Sequence, residues 1–217
     1  MEKSIHGMTS EQASNKKKDG HKREVVRLKQ LGEGSVIIKG RGKPDILRND
    51  GLTESVKGGV KTQWALYSLS RIINDTKFDE SEVNALTKWV NHIPDDKKEW
   101  EKNRHLYSIN PNVEFLLEQF KDNPIKLVEY FCGVNDVDYI VILDSRDNVW
   151  REILMTDFRD KIKSSIKDVY TTEGGKLVIS GGDKNIILFE LELRKGKGSH
   201  KRILFHSLLH RIIDCLK

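Results

Sequence analysis

The sequence has little cysteine, and none of its apolar runs exceeds the length of a strand. Cys132 and Cys215 are the two cysteines among 217 residues, and in a chain that is not exported such a pair more often stays reduced than forms a disulfide. Residues 1–20 are polar and rich in lysine, so we expect no signal peptide there. Because "YIVILD" and "IILFELEL" are the longest apolar runs, we also expect no membrane span. These features favour a cytoplasmic protein with reduced cysteines.

The motifs of several common enzyme classes are absent as well. The sequence contains no G-x-x-x-x-G-K-[ST] loop, no G-x-G-x-x-G turn after a strand and no G-x-S-x-G elbow. The scarcity of cysteine and the scattered histidines argue against a structural zinc site. These absences disfavour P-loop nucleotide binding, dinucleotide cofactors, serine hydrolase chemistry and zinc-stabilised folds.

Charge is the most prominent feature that the sequence does have. Charged residues make up 33% and hydrophobic residues 37% of the chain, and the formal net charge is +5. Basic residues cluster in "NKKKDGHKR", "IIKGRGK" and "LRKGKGSHKR", whereas acids concentrate in the middle, as in "PDDKKEWEK". One basic run alone is more often a solvated surface than a binding patch. Three runs that flank one candidate site favour a polyanion such as nucleic acid.

The composition along the chain predicts a leader followed by one domain. Residues 1–18 have few apolar side chains and are predicted to be a flexible basic leader. Residues 19–217 are predicted to form a single domain. A helical insertion is predicted over residues 79–131, with its pieces separated by prolines: Pro94, Pro111 and Pro124.

The predicted order of elements is mixed α and β around one sheet. After a helix from residue 21, strands are predicted in "SVIIKG", "KPDILRND" and "TESVKGG", with a hairpin turn at Asp50-Gly51. Helical spacing in "KTQWALYSLSRII" predicts a helix before the insertion. The run "DYIVILD" predicts a buried central strand. The rest is predicted to be a helix in "FRDKIKSSIKDVY", a hairpin of "KLVIS" with "NIILFELELR", and a closing helix in "RILFHSLLHRIIDCLK".

The predicted hairpin brings one acid and one lysine together. Asp45 lies on its first strand and Lys57 on its second, and residues two apart in a strand share a face, so Ser55 points with Lys57 while Glu54 points away. The Asp45 carboxylate suits a hard divalent cation, which would polarise a phosphate and acidify a bound water. Lys57 would orient that water or stabilise charge on the phosphorane. These parts suit hydrolysis of a phosphodiester.

This stretch resembles the motif of the PD-(D/E)XK nuclease superfamily, which includes most type II restriction endonucleases. The matching pieces are Pro44-Asp45, the short hairpin and "SVK" at 55–57, together with the element order around them. The resemblance implies a restriction-endonuclease-like core, in which a central mixed sheet is flanked by helices, and a Mg²⁺ ion held by Asp45 and the Val56 carbonyl. It also implies site-specific cleavage of double-stranded DNA by a homodimer, with a cognate DNA methyltransferase in the host.

Ser55 departs from this motif, which normally has an acidic residue at that position. A hydroxyl is a much poorer magnesium ligand than a carboxylate, so we consider three interpretations, in order of preference. Glu24 on the first helix supplies the missing carboxylate, because the superfamily often has a metal-binding glutamate there. Alternatively, Glu54 supplies it through a bulge in the strand. In the third interpretation the site is degenerate, and the protein is a catalytically inactive module that binds DNA. The predicted catalytic set is thus Asp45, Lys57, Glu24 and Ser55.

Two further sets of residues are predicted to contact DNA. Gln63 and Tyr67 form Q-x-x-x-Y on one face of the predicted helix, which resembles the Gln/Tyr motif of RecB-like exonucleases and keeps an exonuclease as an alternative function. In the other interpretation, Tyr67 is a core residue and Gln63 an exposed one. The second set is basic and lies near the end of the chain, where phosphate contacts need no strict geometry: Lys195, Lys197, His200, Lys201 and Arg202.

Overall fold

The chain folds into two compact units, each with its own five-stranded sheet. The computed structural model describes residues 10–39, 44–75, 77–108, 111–182, 186–195 and 201–217. The first unit comprises Met1–Gly59 and Asp136–Met155, and the second comprises Val60–Asn135 and Thr156–Lys217. The mixed α/β class is as predicted, but the expectation of one sheet is wrong.

The first unit is built around a mixed sheet that carries the candidate site. In spatial order its strands are β1 (Val36–Ile37), β2 (Ile46–Leu47), β3 (Thr53–Gly58), β5 (Tyr139–Asp144) and β6 (Val149–Leu154). β3 pairs antiparallel with β2 and parallel with β5. Three successive residues of β5 are fully buried, as expected for a strand covered on both faces. The helix α1 (Ser10–Leu31) packs against β3.

The second unit combines an antiparallel sheet with a group of helices. In spatial order its strands are β4 (Lys61–Ser68), β10 (Lys201–Leu208), β9 (Ile186–Lys195), β8 (Leu177–Gly181) and β7 (Ile166–Thr171). Its helices are α2 (Leu69–Ile73), α3 (Glu80–Asn91), α4 (Lys97–Ser108), α5 (Val113–Phe120), α6 (Ile125–Cys132), α7 (Met155–Ser165) and α8 (Leu209–Cys215). Helix α7 begins at Met155, the last residue of the first unit. The predicted helical insertion thus corresponds to α3–α6.

Aromatic side chains form the core of the second unit. Trp64 lies 5.7 Å from Phe158 and 6.0 Å from Phe189, measured between ring centroids. Phe205 stacks on Phe189 at 5.0 Å and on Phe131 at 5.1 Å. Buried aromatic rings contribute large apolar areas, so this core needs no covalent cross-link. Both cysteines are free, as the sequence predicted.

Two segments that were predicted to be helical contain strands instead. Residues 61–68 form β4 and residues 201–208 form β10, and only the short helices α2 and α8 follow them. β10 lies between β4 and β9 and has five buried residues in succession. A bulge shifts the register between β4 and β10 and interrupts alternation along β4. Apolar spacing alone cannot separate such strands from a buried helix.

Helix α1 begins inside the segment that was predicted to be a flexible leader. It runs for 22 residues from Ser10, and the side chains described over residues 11–19 are exposed. That half has no apolar stripe, so periodicity gave no helix signal, although lysine, glutamate and glutamine have good helix propensity. Across the described ranges, no helix combines the length and apolar character needed to cross a membrane.

A buried cluster of charged residues lies on the second sheet. Glu192 is 6% exposed, and its Oε1 lies 3.1 Å from Nε2 of the buried His206. Lys176 Nζ lies 2.7 Å from Glu190 Oε1 and 3.5 Å from Glu192 Oε2, and Arg194 also pairs with Glu192. Burial alone would raise the pKa of Glu192, but the His206 ring and the two cations lower it from 4.5 to about 2. The cluster therefore favours the ionised carboxylate in the folded state.

Glu192→Gln is expected to make the free energy of unfolding less dependent on pH. The folded-state pKa of Glu192 lies below its unfolded value, so its contribution is present above about pH 5 and is lost as the pH falls towards 2. Urea unfolding at pH 7, 5 and 3 should show the difference between wild type and variant shrinking by about 2 kcal/mol. Glu118→Gln, at an exposed position of α5, is the control. A difference that stays constant from pH 7 to pH 3 would contradict this assignment.

Candidate active site

A tight turn sets the register of the two strands that carry the site. The Asp50 carboxylate accepts a hydrogen bond of 3.1 Å from the Leu52 amide. Gly51 has a φ of 85°, in the left-handed region that favours glycine. The hairpin turn predicted at Asp50-Gly51 is therefore confirmed. The register of the β2–β3 pair places Asp45 opposite Ser55.

The side chains of Asp45, Ser55 and Lys57 converge at this hairpin. Asp45 Oδ2 accepts hydrogen bonds from Ser55 Oγ at 3.1 Å and from the Val56 amide at 2.7 Å. Lys57 Nζ donates to Ser55 Oγ at 2.6 Å and lies 3.5 Å from Asp45 Oδ2. The Asp45 side chain is 25% exposed and that of Lys57 is 16% exposed. An acid, a hydroxyl and an ammonium thus meet at one partly accessible point, in the arrangement that the strand spacing predicted.

The oxygen atoms at this point have the chemistry of a site for a hard divalent cation. In the part of the chain that the structure describes, Asp45 Oδ1 has no hydrogen-bond or ion-pair partner, and Ser55 Oγ and the Val56 carbonyl add neutral oxygens. No three His, Cys, Asp or Glu residues among those described form a metal-binding group. Because Mg²⁺ commonly takes one or two protein carboxylates, with water and substrate phosphate as its other ligands, this set fits an ion that shares the site with a phosphate.

Glu54 is not available as a replacement for the missing acid. It is fully buried, and Arg27 on α1 donates to both of its carboxylate oxygens, at 2.9 and 2.7 Å. β3 pairs with β5 in unbroken register from Glu54 to Gly58, so no bulge over those residues turns Glu54 towards Asp45. The interpretation that Glu54 serves as a metal ligand is wrong.

Glu24 lies near Arg27 on α1, the helix that contacts the face of β3 carrying Glu54. The two residues are three apart on the helix, and Arg27 contacts Glu54 on the opposite face of β3 from Ser55. Glu24 Oε2 lies 3.0 Å from Nδ1 of His21. Glu24 therefore lacks the direct geometric support that Asp45, Ser55 and Lys57 have, and its role as the auxiliary metal ligand stays a prediction.

Because α1 contacts the face of β3 opposite to Ser55, Glu24→Gln is expected to change any rate of DNA cleavage by less than about threefold. Initial rates on plasmid DNA, compared with those of the exposed variant Glu33→Gln, would measure this. A loss as large as that expected for an Asp45 variant would show that Glu24 is a metal ligand after all.

Gln63 and Tyr67 lie on the strand β4 and not on a helix. The bulge in β4 separates their environments, because Gln63 is exposed whereas Tyr67 is 7% exposed. The Tyr67 ring lies 5.7 Å from the ring of Tyr130, and the Arg71 guanidinium lies 3.8 Å from the centre of the Tyr67 ring. The shared helical face is therefore wrong, and Tyr67 is a core residue. DNA contact by either residue stays a prediction without this geometric support.

Basic residues meet at one end of the second sheet. Two like-charged pairs stand directly opposite each other on β9 and β10: Lys195 with Lys201, and Arg194 with Arg202. Lys201 also lies 3.0 Å from Asp95. The predicted DNA contacts Lys197 and His200 lie outside the described residues. Like charges placed opposite each other are destabilising, and a bound polyanion would relieve that repulsion.

Sequence reasoning missed the ion pairs that connect α1, the hairpin and β6. Arg27 and Arg48 each pair with both Glu54 and Glu152, and Arg48 Nη1 lies 2.9 Å from Glu152 Oε1. The alternation in β3 did place Glu54 on the face away from Lys57. A buried carboxylate requires a cation, so an arginine on the covering helix could have been expected. The sequence contained no signal for which arginine it would be.

Comparison with known proteins gives little further guidance. No protein-family model and no curated protein matches this sequence. Among solved structures, the chain is similar to restriction endonuclease MspI in complex with its cognate DNA, at 14% identity and a TM-score of 0.39. The match covers 88% of this chain and 78% of that chain. Similarity of this degree assigns no activity, so function has to be argued from the residues of the site.

Proposed function

We propose that this protein is a magnesium-dependent, site-specific endonuclease of double-stranded DNA, of the type II restriction kind. One observation carries the proposal: Asp45, Ser55 and Lys57 lie within hydrogen-bond or ion-pair distance of one another on the β2–β3 hairpin. This is the arrangement expected from the PD-(D/E)XK motif that the stretch resembles. An acid for the metal and a lysine for developing charge are the pair that phosphodiester hydrolysis uses.

Each residue of the site would have a distinct role. Asp45 would be the anionic ligand of Mg²⁺, and Ser55 Oγ and the Val56 carbonyl would be neutral ligands. When bound, the ion would polarise the scissile phosphate and lower the pKa of a water molecule. The Lys57 ammonium would donate hydrogen bonds to the non-bridging phosphate oxygens or to the attacking water, so that charge on the phosphorane is stabilised.

The charge distribution supports DNA as the partner. Arg202, near the start of β10, is half-buried and would contact phosphates, and the net charge of +5 favours association with a polyanion. The proposal includes a homodimer, because a two-fold symmetric enzyme can cut both strands of a duplex. It also includes a cognate DNA methyltransferase that protects the host.

Incubation with a long circular plasmid and Mg²⁺ tests the proposed activity. We expect wild-type protein to produce discrete linear fragments, and we expect none with EDTA, with Asp45→Ala or with Lys57→Ala. Circular dichroism of each variant should match that of wild type, so that lost cleavage is not lost folding. Fragments that persist in either variant would show that the hairpin is not the active site.

Ser55 favours a second candidate function, which is DNA binding without cleavage. Only one carboxylate is present where the motif normally has two acids, and this weakens metal binding. An intact plasmid that is retarded in a gel, with retardation lost as salt is raised, would support this binding module. Degradation of linear but not circular DNA would instead indicate an exonuclease.

A further inference from the structure

The Lys57 ammonium occupies the point towards which the oxygen atoms of the site converge. Nζ lies 2.6 Å from Ser55 Oγ, 3.4 Å from the Val56 carbonyl oxygen and 3.5 Å from Asp45 Oδ2. These are the same groups that would hold a divalent cation. A divalent ion and the ammonium would therefore use one set of oxygens, and each would repel the other.

The charges of this set also balance. Asp45 contributes one negative charge and Lys57 one positive charge, while Ser55 and the Val56 carbonyl are neutral. Among the described residues, no group of three His, Cys, Asp or Glu side chains surrounds this point. An acidic residue at position 55 would leave one negative charge in excess, whereas serine leaves none. The free protein thus has little electrostatic attraction for a divalent cation at this point.

We propose that Lys57 competes with the metal for the Asp45 oxygens, and that a DNA phosphate relieves this competition. The phosphate would draw the Lys57 ammonium into its own hydrogen bonds and would provide the negative oxygen that Ser55 does not. Metal and DNA would then bind cooperatively, and linkage requires each to raise the affinity of the other by the same factor. This inference rests on the proposed function, because it assumes DNA as the substrate.

Mn²⁺ binding to the full chain without DNA tests the competition directly. We expect the spectrum of free Mn²⁺, followed by electron paramagnetic resonance, to show much weaker binding by wild type than by Lys57→Met, with a gain of about tenfold or more in affinity. Asp45→Asn combined with Lys57→Met should lose the gain. Lys29→Met, which removes an exposed charge from α1, should bind like wild type. Equal Mn²⁺ affinity in wild type and Lys57→Met would overturn the proposal.

Ser55→Asp provides a second test that leaves Lys57 in place. The added carboxylate should raise Mn²⁺ affinity in the absence of DNA, because it restores an excess negative charge. A duplex of random sequence should then raise the Mn²⁺ affinity of wild type more than that of Ser55→Asp. Equal enhancement by the duplex in both proteins would overturn the cooperative part of the proposal.

The two proposals fail in distinguishable ways. If Lys57→Met gains Mn²⁺ affinity but wild type leaves the plasmid intact, competition at the site stands and the endonuclease does not. If wild type cleaves the plasmid but Lys57→Met gains no affinity, the endonuclease stands and the competition does not.

Discussion

Asp45→Asn is expected to slow plasmid cleavage by about 10²–10³-fold, the loss typical of removing one group that stabilises transition-state charge. Asparagine keeps the shape of the side chain, and its carbonyl oxygen can still accept the hydrogen bond from the Val56 amide. The hairpin should therefore fold, while the metal-binding set loses its one carboxylate. Initial rates over a series of Mg²⁺ concentrations would measure the effect, because a weakened site should regain part of its activity at high Mg²⁺.

The interpretation of this variant depends on two comparisons. Asp19→Asn changes an exposed carboxylate on α1 to an amide and should leave the rate unchanged. Retardation of duplex DNA by Asp45→Asn should equal or exceed that of wild type, because a negative charge near the phosphate has been removed. If the rate of Asp45→Asn stays within a few-fold of wild type at every Mg²⁺ concentration, the Asp45 carboxylate has no part in catalysis.

The hairpin and its convergent side chains could be predicted because their determinants are local. Asp50-Gly51 suits the turn, and alternation along β3 separates the face of Ser55 and Lys57 from the face of Glu54. These rules involve residues within a few positions of one another. The turn and the alternation of faces in the structure therefore follow these local rules.

The interactions of Glu54 and Tyr67 depend on residues distant in sequence, which local patterns do not identify. Glu54 is paired with an arginine 27 positions earlier in the chain. Because both Glu54 oxygens are hydrogen-bonded to Arg27, Glu54 cannot be a metal ligand. No local sequence rule predicts this pairing with Arg27. The helix predicted over Gln63 and Tyr67 is wrong because these residues lie on β4, which pairs with β10 from the far end of the chain. The bulge in β4 interrupts the alternation by which a strand is recognised.

Arg27→Met is expected to lower the free energy of unfolding by about 3–5 kcal/mol, the range found when one partner of a buried ion pair is removed. Without Arg27, water could not solvate the Glu54 carboxylate, because Glu54 is 0% exposed. Its other cation, Arg48, lies 3.4 Å away, which is too far for a strong hydrogen bond. Hydrogen bonding to Glu54 also raises the pKa of Arg27 above its usual value. Urea unfolding at pH 7, followed by circular dichroism, would measure the change.

A double variant separates loss of the ion pair from loss of packing. Arg27→Met with Glu54→Leu removes the unpaired carboxylate along with the guanidinium, so it should be more stable than Arg27→Met alone. Lys97→Met, which breaks an exposed pair with Glu101 on α4, should change stability by no more than about 0.5 kcal/mol. If Arg27→Met is as mild as Lys97→Met, Glu54 is not held by this pair. The orientation of β3, which places Ser55 and Lys57 towards Asp45, would then depend on strand pairing alone.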